Sequence, residues 1–264
     1  MASSPKNDSD QSPCFQNSSL QSSSFRNPSF QNAPFRSTVL SVPQLTRDDV
    51  ELLKRETLYQ GFFRLEGLAL RHRLFEGGWS EPMRREVHSR FDAVGVLLYD
   101  PARDSLVLIE QFRAGAVDDP VTPWKLEFVA GLVEEGESLE DVARREAWEE
   151  AGCKVAALTK LHTYYPSPGA CNEQVTLFCG LVDTQGIGGI HGLDEEHEDI
   201  RVHIVPFANA WELLEQGRLD NAMCLIGLHW LNSQRASLRA ASPRALAKNE
   251  TTQSETMQSE TSEE

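Results

Sequence analysis

The sequence predicts an α/β protein, a mixed β-sheet sandwiched between helices, and three observations carry that reading. Apolar runs of strand character recur through the middle of the chain, at Leu58 to Leu74, Phe91 to Tyr99, Ser105 to Phe112, Trp124 to Val129, Thr176 to Val182 and Arg201 to Val205. One segment among them, 138–151, has helical periodicity and clear end signals. Two more helical stretches, about Ala208–Gln216 and Asn221–Ser233, follow the last strand. Strands interleaved with helices bury their apolar faces by layering, with helices on both sides of the sheet.

Taken in order, residues 1–45 are rich in Ser, Asn, Gln and Pro and carry a loose repeat at Phe25-Arg26-Asn27-Pro28, Phe30-Gln31-Asn32 and Phe35-Arg36. Such composition buries too little apolar surface to offset ordering entropy, so a disordered leader is expected. Its Ser-rich start faintly suggests an organelle transit peptide, but only Lys6, Arg26 and Arg36 supply positive charge. Residues 46–90 read as an N-terminal β segment and 91–235 as the main domain. The turn-prone Asp100-Pro101 precedes the run at 105–112. Within the helix, Ser138 followed by Asp141 reads as a capping box at the start, and Gly152 as the stop. Leu139, Val142, Ala143 and Ala147 recur at helical spacing and should face a core. Gly186-Ile187-Gly188-Gly189 completes no dinucleotide fingerprint and reads as a flexible loop. Residues 236–264, with repeated Gln-Ser-Glu-Thr, form a polar tail.

Composition narrows the function. The 264 residues are 40% hydrophobic and have a formal net charge of −15. That balance argues against a nucleic-acid surface, which needs a basic stripe, but not against a small phosphorylated substrate held by cations and a few arginines. Cys14, Cys153, Cys171, Cys179 and Cys224 include no C-x-x-C pair and are odd in number. They read as free thiols in a reducing compartment, consistent with the cytoplasm. No apolar run approaches a membrane span.

The chemistry concentrates in Gly131 to Cys153. Glu146 and Glu150 are four residues apart and Glu149 is three from Glu146, so three anions crowd one helix surface. Like charges at this spacing cost a helix roughly 0.2–0.5 kcal/mol per pair. The dipole disfavours anions near a helix C-terminus as well. A divalent cation reverses both penalties, and hard carboxylate oxygens suit Mg²⁺, or Mn²⁺ as the alternate ion. A lone cluster of this kind is usually a solvated acidic face. Here Gly131, Glu137, Arg145, Glu146, Glu149, Glu150 and Gly152 all fall in the register G-x5-E-x7-R-E-U-x-E-E-x-G-U, and the segment resembles the Nudix box. Ala147 and Cys153 are weakly apolar choices at its U positions.

From about Val50 to Leu231 the chain is similar to the ADP-ribose pyrophosphatase branch of the Nudix hydrolases. The matches are Ala130-Gly131-Leu132, Ser167-Pro168-Gly169, Gly189-Ile190-His191-Gly192 and Glu198-Asp199-Ile200-Arg201-Val202, with the branch's marker proline at Pro168. The S-Q-P-W-P-F-P marker of NADH-cleaving relatives is absent. The resemblance implies a Nudix fold with an N-terminal β-rich dimerisation segment. It implies Glu196, in the acidic run Asp194 to Asp199, as the carboxylate that activates water. It implies two or three Mg²⁺ on Glu146, Glu150, Glu198 and the Ala130 carbonyl. It carries substrate contacts onto Phe62, Phe63, Arg85, Glu86, Arg90, Arg113, Leu132, Ser167 and Glu173. An aromatic such as Phe62 can stack on adenine, and forked arginine donors suit phosphate. Without the resemblance, adjacent phenylalanines would read as a core strand. Where relatives often have Gly-Gly-Thr-Ser-Glu, this chain has Gly169-Ala170-Cys171-Asn172-Glu173, which leaves fine substrate choice open. Homodimers in which residues 50–90 help form the partner's site are the implied assembly.

The activity these readings imply is metal-assisted hydrolysis of ADP-ribose to AMP and ribose 5-phosphate. Arg145 is expected to fix the catalytic glutamates, and Glu137 to serve similarly. A broader nucleoside-diphosphate sugar pyrophosphatase acting on ADP-sugars or GDP-mannose is the neighbouring alternative. A non-catalytic ADP-ribose-sensing module is the competing class, and its expected erosion of the Arg-Glu-x-x-Glu-Glu core is not seen at Arg145-Glu146 and Glu149-Glu150.

Overall fold

The structure, a computed structural model, describes residues 45–193 and 197–242. The tail expectations for 1–44 and from 243 on, and the expected base Glu196, lie outside the described residues.

Among the described residues eleven strands and three α-helices run in the order β1 (Val50–Gln60), β2 (Arg64–His72), β3 (Met83–Ser89), β4 (Ala93–Asp100), β5 (Ser105–Phe112), β6 (Trp124–Glu127), β7 (Val129–Leu132), α1 (Leu139–Glu149), β8 (Ala157–Tyr164), β9 (Val175–Leu181), β10 (Gly189–His191), β11 (Ile200–Pro206), α2 (Phe207–Glu215) and α3 (Ala222–Ala240). The predicted class holds: the main sheet is mixed, with β4 parallel to β9 and its other pairings antiparallel. Its path is β10-β11-β5-β4-β9-β8, with β6 on β5 and β7 on β4.

Strand alternation divides the core into two layers. Val94, Val96, Leu98, Val107 and Ile109 pack with Val142, Ala143 and Ala147 of α1. Leu97, Tyr99, Leu106 and Leu108 face the other way, onto Ala210 of α2 and Cys224, Leu228 and Leu231 of α3. Complete burial of each such aliphatic side chain contributes about 1.5–3 kcal/mol, so the sheet is held from both faces.

The sheet forks at its centre. β4 pairs with β5 only through Leu98–Asp100 and Ser105–Val107. Beyond that point β4 pairs with β7, Val96 opposite Val129 and Val94 opposite Gly131. β5 pairs instead with β6, Ile109 opposite Glu127 and Gln111 opposite Lys125. Two ribbons therefore diverge, and α1 lies against the β4–β7 ribbon.

Several expectations need correcting. Leu58 to Leu74 is not one strand: the chain reverses at Gly61–Phe63, and β1 and β2 form an antiparallel hairpin that β3 extends into a separate three-stranded sheet. The capping box is half present: the Ser138 hydroxyl accepts from the Asp141 N–H at 3.1 Å but donates to the Asp141 carboxylate at 2.7 Å. That carboxylate is thereby occupied by the hydroxyl. Gly189 is not loop but the first residue of β10, paired with Val202. α3 runs past the expected end at about Ser233 to Ala240, where Arg235 and Arg239 both bond Asp104 in the β4–β5 turn. The stop at Gly152 stands, with φ +62° and its N–H donating to the Trp148 carbonyl at 2.9 Å. Cys153, Cys171, Cys179 and Cys224 are free thiols. Among the described residues no helix is long and apolar enough to cross a membrane.

Candidate active site

The site grows from the contact between α1 and β7. The Glu146 side chain lies so close to β7 that it needs a residue without a side chain beneath it. Gly131 supplies that: a Cβ there would fall 1.8 Å from Oε1 of Glu146. One turn further along α1, Glu150 reaches back to β7 and accepts the Ala130 N–H at 2.9 Å. The glycine and the backbone donor thus fix where two carboxylates point.

Arg145 organises the surrounding acids. Its Nη1 lies 2.8 Å from Glu146 and 3.0 Å from Glu149, and its Nε lies 3.3 Å from Glu137. Glu137 in turn accepts the Glu134 N–H at 3.1 Å, tying the loop before the helix to its last turns. The expected fixing roles of Arg145 and Glu137 have this geometry. One guanidinium shared among three carboxylates leaves net negative charge behind.

The electrostatics record that surplus. Burial pushes the Glu150 carboxyl up to about 8, and the charges of Glu146 and Glu198 add to the rise despite the Ala130 N–H. Burial also raises Glu146 to about 7, with Glu149 and Glu198 pushing the same way against Arg145. Glu198, just before β11, therefore acts on both α1 glutamates. Among the described residues no three His, Cys, Asp or Glu groups already converge as a closed cation cage. The donor set nevertheless fits a hard divalent cation: buried carboxylate oxygens on one helix face, repelling one another, with a third carboxylate opposite.

A second group assembles on the near side of the N-terminal sheet. Arg90 lies 4.7 Å over the Phe63 ring and 3.3 Å from Glu173. Phe63 also meets Phe62 and His88 edge-on, at 4.7 and 4.9 Å. Phe62 is 76% exposed, so the core-strand reading of this pair fails for it. Asn172 accepts the Arg90 N–H at 2.8 Å, and the His88 N–H donates to the Ala170 carbonyl at 2.8 Å. The loop 167–173 is thus sewn to β3. Ser167 is exposed in it, its carbonyl closing the turn through the Ala170 and Cys171 N–H groups.

Arg113 belongs to the first group. Its Nε is 2.6 Å from the buried Glu127, and its charge acts on Glu150. Glu127 also accepts from Asn221, the cap of α3, at 3.2 Å. Leu132 ends β7, half-buried beside this group. Arg85 and Glu86 sit exposed on β3; Arg85 donates to its neighbour's carbonyl at 2.9 Å and Glu86 accepts from Arg84 at 3.3 Å. Among the described residues they join neither group. Glu127 was not singled out from sequence, while Asn172 entered only as part of a departing loop and Asn221 only as a helix start.

A model of the NUDIX domain matches residues 89–224. An ADP-ribose pyrophosphatase of Escherichia coli K12 is 49% identical over 193 residues, 73% of this chain and 92% of that protein. An ADP-ribose pyrophosphatase of Haemophilus influenzae is 43% identical over 207 residues, 77% of this chain and 95% of that one. A GDP-mannose pyrophosphatase of Cronobacter sakazakii is 32% identical over 194 residues, covering 69% of this chain and 95% of its own. A crystal structure titled ADP compounds hydrolase superposes with a TM-score of 0.54 at 22% identity, over 70% of this chain and 96% of that one, a likeness of fold.

Proposed function

This chain belongs to the NUDIX family, and we propose that it hydrolyses the diphosphate bond of ADP-ribose, releasing AMP and ribose 5-phosphate. The observation that carries the reading is Glu150, a buried carboxylate held on the Ala130 N–H beside Glu146, in a chain so similar to ADP-ribose pyrophosphatases. Nudix hydrolases use divalent metal ions. Here Glu146, Glu150, Glu198 and the Ala130 carbonyl would hold two or three Mg²⁺, and Mn²⁺ suits the same oxygens. A divalent ion bound there would supply positive charge beside the phosphoryl oxygens and make a neighbouring water more acidic.

The protein's own groups do the rest. Glu196 takes the proton from the attacking water or orients it. Arg145 keeps Glu146 and Glu149 in register with the loop at Glu137. Arg90 and Arg113 offer forked donors to phosphate and ribose oxygens, and Leu132, Ser167 and Glu173 complete that wall. Phe62 and Phe63 offer a platform for adenine. Arg85 and Glu86 serve the site of a second subunit, in a homodimer built through residues 46–90. The exposed Leu52, Leu53, Leu58 and Tyr59 on β1 support that assembly. Free thiols fit a cytoplasmic protein.

A GDP-mannose pyrophosphatase among the relatives supports the broader nucleotide-sugar reading as the alternative. Product chromatography over a panel of nucleotide sugars with Mg²⁺ decides between the two. ADP-ribose should give the highest kcat/KM, and a faster GDP-mannose reaction would overturn the first reading. Glu196→Gln should lower kcat by roughly 10²–10⁴-fold with little change in metal or substrate affinity. If Glu195→Gln is inactive and Glu196→Gln is not, the base is the neighbouring residue.

A further inference from the structure

Hydrogen-bond accounting picks out Gln111. Among the described residues only two buried side-chain nitrogens or oxygens lack a partner: Arg90 Nε and Gln111 Nε2. A buried donor left unsatisfied costs about 1–3 kcal/mol, so each requires a reason. Arg90 already faces the proposed substrate wall. Gln111 is 6% exposed, near the end of β5.

Its position is fixed by register. Gln111 lies opposite Lys125 where the sheet has forked, on the β5–β6 ribbon facing away from β4 and β7 in pairing. Strand alternation puts it on the face of Ile109, which packs with α1, and of Arg113, two residues on. Arg113 acts electrostatically on Glu150. An amide donor with no partner thus stands two residues from Arg113 on one face of the β5–β6 ribbon.

We infer that Gln111 is a further substrate-binding residue, whose carboxamide N–H donates to an oxyanion of the diphosphate. This rests on the proposed nucleotide-diphosphate activity and adds a residue to it. The unpartnered donor is a preorganised one: its desolvation cost is borne in the free protein and returned when a phosphoryl oxygen arrives. Arg113 then supplies charge and Gln111 supplies a fixed direction.

The test uses Gln111→Met, close in volume and without a donor, and Gln111→Glu, which places an anion at the same spot. The methionine variant should melt at or above the parent temperature, because it removes an unsatisfied buried group. Its kcat/KM for ADP-ribose should fall about 10- to 100-fold, as expected for one hydrogen bond to a charged group. Its affinity for ADP with Mg²⁺, read by calorimetry, should fall as well. The glutamate variant should bind ADP more weakly still. Equal ADP affinity in parent and methionine variant overturns the inference, as does a melting temperature well below the parent's, which would make Gln111 a structural residue. Failure of the parent to hydrolyse ADP-ribose strikes the substrate reading alone, since the ADP measurement stands apart from turnover.

Discussion

Asp104 and Glu150 are both carboxylates withdrawn from solvent, yet the molecule treats them in opposite ways. Asp104, in the β4–β5 turn, accepts from the Tyr99 hydroxyl at 2.8 Å, from Arg235 Nε at 2.7 Å and from Arg239 at 3.2 Å. Arg235 above all holds its carboxyl below the usual range. Asp100 nearby is similar: burial alone would raise it, but the Thr184 N–H and Arg103 hold it at about 2. Glu150 has one backbone donor, two repelling neighbours and a pKa near 8. The first region spends its charge inside the fold. The second keeps its charge for something that binds.

That contrast can be broken most decisively at Glu150. Glu150→Gln should lower turnover at least about 100-fold, the scale of several kcal/mol of lost metal assistance, and weaken the dependence on Mg²⁺. Its thermal melt without metal near neutral pH should hold, since the raised pKa already leaves this carboxyl largely protonated and the amide oxygen can accept the same Ala130 N–H. Near-normal rates with unchanged metal dependence would remove Glu150 from the site.

Asp104→Asn should do the reverse. It strands Arg235 and Arg239, and a cost of about 3 kcal/mol is expected, the low end for a broken buried pair because both arginines keep some water. Activity per folded molecule should not change. A denaturant titration and an assay at fixed folded fraction test this together, and a selective loss of kcat would contradict it.

A smaller effect sharpens the comparison through pH. Glu146 and Glu150 have folded pKa values of about 7 and 8 against 4.5 for an ordinary glutamate. The folded metal-free protein therefore holds protons that the unfolded chain releases. Their contribution to stability is whole below pH 4.5 and drains away as pH rises toward 8. Asp100 runs the other way, its contribution present above its ordinary 3.8 and lost as pH falls toward 2. Mg²⁺ should accordingly raise the melting temperature by more at pH 8.5 than at pH 5. Equal increments at both would show that the α1 pair does not take up the ion.

What could be read in the sequence follows the same division between buried and exposed. β5 was legible to the residue and α1 to within two at each end, because both carry an apolar pattern set by a core on one or both faces. β3 and β8 were not, since Met-Arg-Arg-Glu-Val-His-Ser and Ala-Leu-Thr-Lys-Leu-His-Thr-Tyr lie on half-exposed surfaces where burial imposes little pattern. The hairpin at Gly61 was hidden because Phe62 and Phe63 continue the apolar run through the turn. Spacing marked the α1 glutamates as one group, because they interact along one helix. Asn172 and Glu127 act through partners distant in sequence, and no local period marks such contacts.

The glycine beneath α1 sets how near this protein stands to its own inactive form. A single methyl at Gly131 would occupy the space of the Glu146 carboxylate, a flexible group free to swing aside. Gly131→Ala should therefore leave the scaffold and the arginines Arg90 and Arg113 in place while misaligning one carboxylate. Such a variant would hold its ligand and release it uncut, a ready-made capture reagent one codon change from the working molecule.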